Sequence, residues 1–494
     1  MTKVTLPKSN DIDILLMLEG TYPLVAGGVS TWIYNLITYL PHYRFGAIFI
    51  GGREEDYHGL QYPLPSNLVH LEIHYLFPKF EEPVHHFIQH EMKDIHCPFK
   101  DTDVMDGLTD LSKIEALLLD KSSILQNDFW YSERSWDYLV KNYIDKCGNI
   151  SFIDYFWTMR NIHAPLWRLF EIMRTAPKAK LIHSASTGYA GLLAALLSTL
   201  SGKKFILTEH GIYTKERRLD LLQKNWIKQS IIQELHLDYI NEKWINLFEM
   251  LSRICYRQAD PVISLFKAYQ ERQIEDGASP KKTRIIPNGV NIKKIESYRQ
   301  ERPASSKNIV ALIGRVVKIK DIKTFIRAIA IAKQQLPALE GWIIGPERED
   351  PAYARECREL VELLHLSKVV FFKGTKNLED VLNPIDIIVL SSISEGQPLV
   401  VLEGFAAGIP CIVTDVGGCH ELIYGKDEED IKLGKAGEVV SISDPSALAK
   451  AIVRLLQNPK EYQAVVKVGK QRVQKYYDLK RIIAEYNQIY QEHI

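Results

Sequence analysis

Short apolar runs, each closed by a glycine or small polar residue and followed by a helical pattern, recur along this chain. The first is Asp13 to Glu19, closed by Gly20; a glycine-containing loop follows, and Val29 to Leu40 places apolar residues at helical spacing. Strand, loop and helix in that order open a nucleotide-binding α/β domain. Arg44 to Gly51 reads as the next strand. From about Tyr75 to Ile150 charged and aromatic residues mix irregularly, and this stretch reads as a helical insertion. Alternation resumes with strands predicted at Lys180–His183, Lys204–Thr208, Pro261–Ser264 and Thr283–Ile286.

A polar stretch from Glu296 to Lys307, with Pro303 and Ser305-Ser306, reads as a linker. A second series follows, with strands predicted at Asn308–Ile313, Gly341–Ile344, Val369–Phe372, Ile385–Leu390 and Pro410–Thr414. Apolar runs separated by helices predict a parallel sheet covered on both faces. The expected fold class is therefore α/β, with two Rossmann-like domains: 1–300 with the insertion at about 75–150, then 301–475, then an amphipathic helix over 476–494.

Composition narrows the function. The chain has 46% hydrophobic and 25% charged residues, and Lys+Arg and Asp+Glu both total 61. Such a balance gives no reason to expect a nucleic-acid partner. The six cysteines are scattered without a C-x-x-C pair or metal-ligand spacing, as expected of reduced thiols in the cytoplasm. The stretch from Met1 to Asn10 is polar, and the most apolar helical run, Ala190 to Leu200, is shorter than a bilayer requires. The expectation is a cytoplasmic protein, compatible with docking at the inner face of a membrane.

Four segments carry candidate chemistry. In Ser394-Glu-Gly-Gln-Pro-Leu-Val-Val-Leu-Glu403, two glutamates flank a loop-to-helix transition after an apolar strand. Gly396 and Pro398 suit a helix start, where free N–H groups and the dipole favour a diphosphate. Glu395 is expected at the loop's mouth and Glu403 about two turns along the same face, one carboxylate for a sugar hydroxyl and one for a ribose diol. The competing reading is two solvated glutamates. In Gly314-Arg-Val-Val-Lys-Ile-Lys320, a loop after a strand offers Arg315 as a fork for phosphate and Lys320 as a point charge. Otherwise it is a solvated basic loop.

Gly27-Gly28 before a helix permits close approach of backbone to a ligand but lacks dinucleotide-fingerprint spacing; the alternative is a plain turn. In Thr208-Glu-His210-Gly, the histidine ends a strand and is a candidate partner for a donor-sugar hydroxyl, set against an ordinary structural histidine, the reading given to His163 and His183. The clustered histidines 85, 86, 90 and 96 have no ligand geometry, so no metal site is expected.

Together these pieces resemble a known family. Gly314-Arg315 with Lys320, the Glu395/Glu403 pair, Thr414-Asp-Val-Gly-Gly418 and Ile286-Pro-Asn-Gly-Val290 look like family 4 glycosyltransferases of GT-B fold. Leu18-Glu-Gly-Thr-Tyr-Pro23, Gly27-Gly-Val-Ser30 and Glu209-His-Gly-Ile-Tyr-Thr214 with Glu216-Arg217 are similar to the PelF-type soluble glycosyltransferases of Pel exopolysaccharide synthesis. The resemblance implies a GT-B architecture, its parallel sheets facing a central cleft, with an acceptor-side first domain and a terminal helix crossing back onto it.

It further implies a retaining hexosyltransferase that moves a hexose or N-acetylhexosamine from a UDP-sugar to a growing polysaccharide. No metal or other cofactor is implied, and the work is done beside a membrane polysaccharide synthase. Arg315 and Lys320 are then diphosphate contacts, Glu403 holds the ribose, Glu395 the sugar, and the backbone of Gly396, Gln397, Pro398 and Leu399 the sugar and phosphate. Gly28, with Gly27, meets the diphosphate, and His210 lies near the reacting carbon. Asn291 and Lys318 depart from residues common in the family, which bears on donor preference. A nucleotide-sugar epimerase and a non-catalytic UDP-binding component of a synthase complex are the alternatives.

Overall fold

The computed structural model describes residues 6–77, 133–147, 150–226, 239–299 and 308–494. The central part of the insertion expected at about 75–150, the polar stretch 300–307 and the histidines 85, 86, 90 and 96 lie outside the described residues. The chain divides into two compact units: Met1–Ile263 with Glu271–Arg284 and Tyr490–Ile494, and Ser264–Gln270 with Ile285–Ile489.

The first unit is built on a seven-stranded sheet: β1 (Ile12–Glu19), β2 (Phe45–Gly51), β3 (Leu68–Tyr75), β4 (Ala179–Ser184), β5 (Lys204–Glu209), β6 (Val262–Ser264) and β7 (Thr283–Ile285). Their order is β3-β2-β1-β4-β5-β6-β7, and β1 pairs in parallel with both β2 and β4. The central β1 and β2 are buried on both faces, which is why they read as unbroken apolar runs. β3, an edge strand, escaped the sequence reading because His70, Glu72 and His74 interrupt its apolar pattern. There His70 and His74 both reach Glu72, at 3.0 and 2.8 Å.

Between β1 and β2 runs α1 (Gly28–Tyr39), and between β4 and β5 runs α2 (Tyr189–Ser201). α2 is buried on nearly every side, packing Leu192, Leu193 and Leu196 into the core with Leu166, Leu251 and Ile254. Its length and burial explain the apolar run from Ala190 to Leu200. Among the described residues no helix is long and apolar enough to cross a membrane.

The second unit holds a six-stranded parallel sheet: β8 (Asn308–Ile313), β9 (Leu339–Ile344), β10 (Val370–Gly374), β11 (Ile387–Leu390), β12 (Cys411–Thr414) and β13 (Gly437–Val440). The order is β10-β9-β8-β11-β12-β13, with β8 parallel to both β9 and β11. Two apolar layers cover its faces, one centred on Phe325, Ile329 and Ile452, the other on Leu402, Phe405 and Ile423. Asp321, itself in the left-handed region, caps α3 (Ile322–Lys333) by accepting from the Thr324 amide. α4 (Leu399–Ala406) follows β11 and α5 (Leu479–His493) ends the chain.

Two expectations need correction. The helix read over 476–494 begins only at Leu479: the preceding helix runs through Tyr476, and a break at Tyr477 and Asp478 separates the two. Tyr490 near its end belongs to the first unit, where its hydroxyl bonds His183 Nδ1 at 2.7 Å and its ring packs edge-on against Tyr43. The two-turn spacing of Glu395 and Glu403 also fails. Residues 395–398 are not helical, so Glu403 stands just over one turn into α4.

Candidate functional site

Both sheets run outward from a central strand in opposite directions, so each has a switch point where consecutive loops diverge and leave a crevice at the strands' carboxyl ends. In the second unit that point lies between β8 and β11, and the two loops flanking it carry Arg315, Lys320 and Glu395. Lys320 Nζ donates to Glu395 Oε1 at 2.5 Å, and Ser392 Oγ donates to the same oxygen at 2.5 Å. The loops are further joined where Ser391 Oγ donates to the Lys320 and Asp321 carbonyls, and where the Ile393 amide donates to Ile319. Gly345, after β9, approaches so near Gly314 that an added Cβ would collide with its carbonyl oxygen. Lys320 and Glu395 keep only 19% and 12% of their side-chain surface exposed, so this charge pair is largely screened from water.

Arg315 is placed differently. Its guanidinium donates to Glu349 at 2.7 Å in an exposed pair. Such a pair is weak, on the order of 0–1 kcal/mol, and easily exchanged.

The loop after β11 continues into α4, whose N-cap is Pro398. No side chain caps this end and no acidic residue lies in its first turn, so its positive dipole end is uncompensated. Gln397 is buried: its Oε1 accepts from the Asn288 amide at 2.6 Å, its carbonyl accepts from Asn288 Nδ2 at 3.1 Å, and its Nε2 donates to the Leu265 carbonyl at 3.4 Å. Its side chain and carbonyl thus tie the loop to the scaffold, and its backbone N–H is what remains for a ligand. Glu403 is half-buried, and desolvation pushes its carboxyl up to about 7.

The first unit presents another chemistry. Gly27 N-caps α1; its amide donates to the Tyr62 hydroxyl at 3.3 Å, and both Gly27 and Gly28 are exposed. His210 follows β5, its ring edge-on to Trp32 with centroids 4.5 Å apart. Burial lowers its pKa to about 3, so the imidazole is neutral, and Nε2 has no partner among the described residues. Neighbouring Glu209 is different: it accepts from Thr187, the Tyr213 amide, Tyr256 and Gln273, a fully satisfied structural carboxylate. His183 is bonded to Tyr490 and Thr208, and His163 to the Met159 carbonyl, both in scaffold roles.

Ser392, Glu349 and Trp32 were not singled out in the sequence. A serine directly behind an apolar strand was a usable signal for Ser392; nothing local marks Glu349 or Trp32. Among the described residues no group of three His, Cys, Asp or Glu side chains is arranged to hold a metal ion.

Comparison with known proteins bears on the family and the fold. Residues 12–281 match the family model described as Domain of unknown function (DUF3492), and residues 294–472 match Glycosyl transferases group 1. The D-inositol 3-phosphate glycosyltransferase of Corynebacterium urealyticum is 23% identical over 351 residues, 62% of this chain and 79% of that protein. The UDP-Gal:alpha-D-GlcNAc-diphosphoundecaprenol alpha-1,3-galactosyltransferase of Escherichia coli is 25% identical over 329 residues, 63% of this chain and 72% of that protein. Among solved structures, Anabaena HepE in complex with UDP superposes with a TM-score of 0.59 at 14% identity, covering 97% of this chain and 100% of HepE. The two parallel-sheet α/β domains are those of the GT-B fold.

Proposed function

Because the chain belongs to the DUF3492 family and carries a group 1 glycosyltransferase domain behind it, we propose that it transfers a hexose or N-acetylhexosamine from a UDP-sugar to a growing polysaccharide. The finer reading is a cytoplasmic, retaining, metal-independent family 4 hexosyltransferase of Pel-type exopolysaccharide synthesis, related to PelF and working with a membrane synthase. The observation that carries the donor assignment is the screened Lys320–Glu395 pair at the switch point, beside an uncapped helix N-terminus.

As the bond from the anomeric carbon to the β-phosphate oxygen breaks, negative charge collects on UDP. Arg315, Lys320 and the amides leading into α4 match that charge, which is the work a bound cation does elsewhere. The acceptor hydroxyl oxygen forms the new bond on the face the nucleotide leaves, and its proton passes to a phosphate oxygen of UDP. Glu395 holds a sugar hydroxyl and Glu403 the ribose diol; His210, neutral and with a free Nε2 among the described residues, is suited to bond a hydroxyl in its own unit. HepE was solved with UDP, and the Escherichia coli relative is named for a UDP-sugar donor; both support UDP as the carrier.

The test is calorimetric titration of UDP- and GDP-sugars with EDTA present, followed by UDP release with a polysaccharide acceptor. Expected is micromolar-range binding of UDP and of one or two UDP-sugars, unaffected by EDTA. No binding of any nucleotide would sink the assignment. Epimerised free UDP-sugar without acceptor, or UDP binding with no turnover, would replace it with an epimerase or a non-catalytic component.

A further inference from the structure

The loop after β11 is held from behind. The Tyr269 hydroxyl donates to the Glu395 carbonyl at 2.9 Å, and the Gly418 amide donates to the Gly396 carbonyl at 2.8 Å. Both carbonyl oxygens converge on Gly417, which sits at φ +55, and a Cβ added there would collide with each of them. In a trans peptide plane the N–H points opposite to the C=O. The amides of Gly396 and Gln397 therefore point together, away from Gly417, and neither has an acceptor among the described residues. Two free parallel amides beside a lysine make a cradle for oxygen atoms of an anion.

We infer that Tyr269 is a positioning residue for the donor: its hydroxyl sets the Glu395–Gly396 peptide plane, and with it the amide that meets the sugar diphosphate. This rests on the donor reading above. Tyr269 itself is buried, its ring tilted against that of Phe266 with centroids 4.0 Å apart, so its hydroxyl acts on the donor through the loop. It stands on the segment Ser264–Gln270, which the chain lends to the second unit directly after β6. Leu265 on the same segment accepts from Gln397, and the Lys267 amide donates to Glu421 at 3.2 Å, so the segment grips the loop and its backing together.

The experiment compares full-length wild type with Tyr269→Phe, which keeps the ring and its packing and removes only the hydroxyl. Hydrogen exchange is read at the amides of Asn288 and Gly418, whose hydrogen bonds end on the loop. Kinetics are read with whichever UDP-sugar the wild type turns over, and UDP affinity by calorimetry. Expected are exchange about tenfold faster at both amides and kcat/KM about tenfold lower, carried mostly by kcat. The UDP dissociation constant stays within about twofold and the melting temperature within about 2 °C, since one hydroxyl hydrogen bond is lost and one preorganised amide loosened. Unchanged exchange together with kcat/KM within twofold overturns the inference, as does a loss explained by unfolding alone. Faster exchange in a protein whose wild type turns over no UDP-sugar leaves the positioning intact and removes the donor reading instead.

Discussion

The two units share one sheet order about the switch point and differ in what they put there. Behind β8 and β11 the second unit sets a lysine, an arginine, two carboxylates and an uncapped helix end. Behind β1, β4 and β5 the first unit sets exposed glycines, a tryptophan and a neutral buried histidine. The backbone architecture is therefore indifferent to ligand charge; the loops decide it. One switch point carries cationic side chains and an uncapped helix end, the other a neutral histidine and exposed backbone.

The largest effect expected from breaking this contrast is at Lys320. Lys320→Ala removes the cation and leaves Glu395 with Ser392 alone, in a setting where each charge-assisted phosphate contact contributes about 2.7–4 kcal/mol to the transition state. Turnover should fall by about 10²–10³, measured as UDP release at saturating donor, while the melting temperature stays near wild type. A loss under about fivefold would separate Lys320 from the chemistry.

Glu403 sharpens the contrast by pH. Its carboxyl, raised to about 7 by burial, is protonated in the empty protein at lower pH, and the proposed hold on a ribose diol requires the ionised form as acceptor. UDP affinity should therefore fall by about tenfold per unit as pH drops below 7 and level off above it. The sign for folding is opposite. Because the folded pKa lies above the unfolded value near 4.3, the folded state binds the proton more tightly. Stability from this group is full at acid pH, is lost as pH rises from about 4.3 to 7, and does not change further above that. Glu403→Gln should flatten both curves; calorimetry and denaturation across pH 5–8 read them.

His210 should behave in the reverse manner. With its pKa near 3, it does not titrate between pH 5 and 9, so wild-type and His210→Ala profiles should have the same shape. The variant loses about five- to tenfold in kcat, as for one neutral hydrogen bond, at every pH. A limb near pH 6.5 that vanishes in the variant would mean a solvated imidazole.

How much of this was legible depends on what each element packs against. β1, β2, β8 and β11 could be read because they are buried on both faces and therefore uniformly apolar, whereas the edge strands β3 and β13 mix polar residues into short runs. Arg315, Lys320 and Glu395 could be picked out as candidates because charge on a strand-end loop stands out against the apolar strand before it, and the structure brings Lys320 and Glu395 together. Glu403 was assigned through helical periodicity counted across a loop, which has no such period. Glu349 and Tyr269 were invisible, since each meets its partner across 34 and 126 residues of sequence. Local patterns carry no information at that range.

The smallest effect concerns Glu349, and it tests whether the second unit's crevice is held ready or must be opened. Arg315 meets the Glu349 carboxylate through Nη1, so that carboxylate competes with a phosphate for the guanidinium. Both side chains are about half exposed, at 52% and 41%, so water competes with the pair and the exchange costs little. Glu349→Gln keeps the shape and removes the competing charge. UDP should then bind about two- to threefold more tightly at low salt, and the gain should shrink as ionic strength rises past the point where the screening length falls below about 10 Å. Weaker binding in the variant would mean that the carboxylate orients Arg315 for the phosphate instead of competing for it. Arg315 would then belong with Lys320 as a cation set in place by its counter-ion before any ligand arrives.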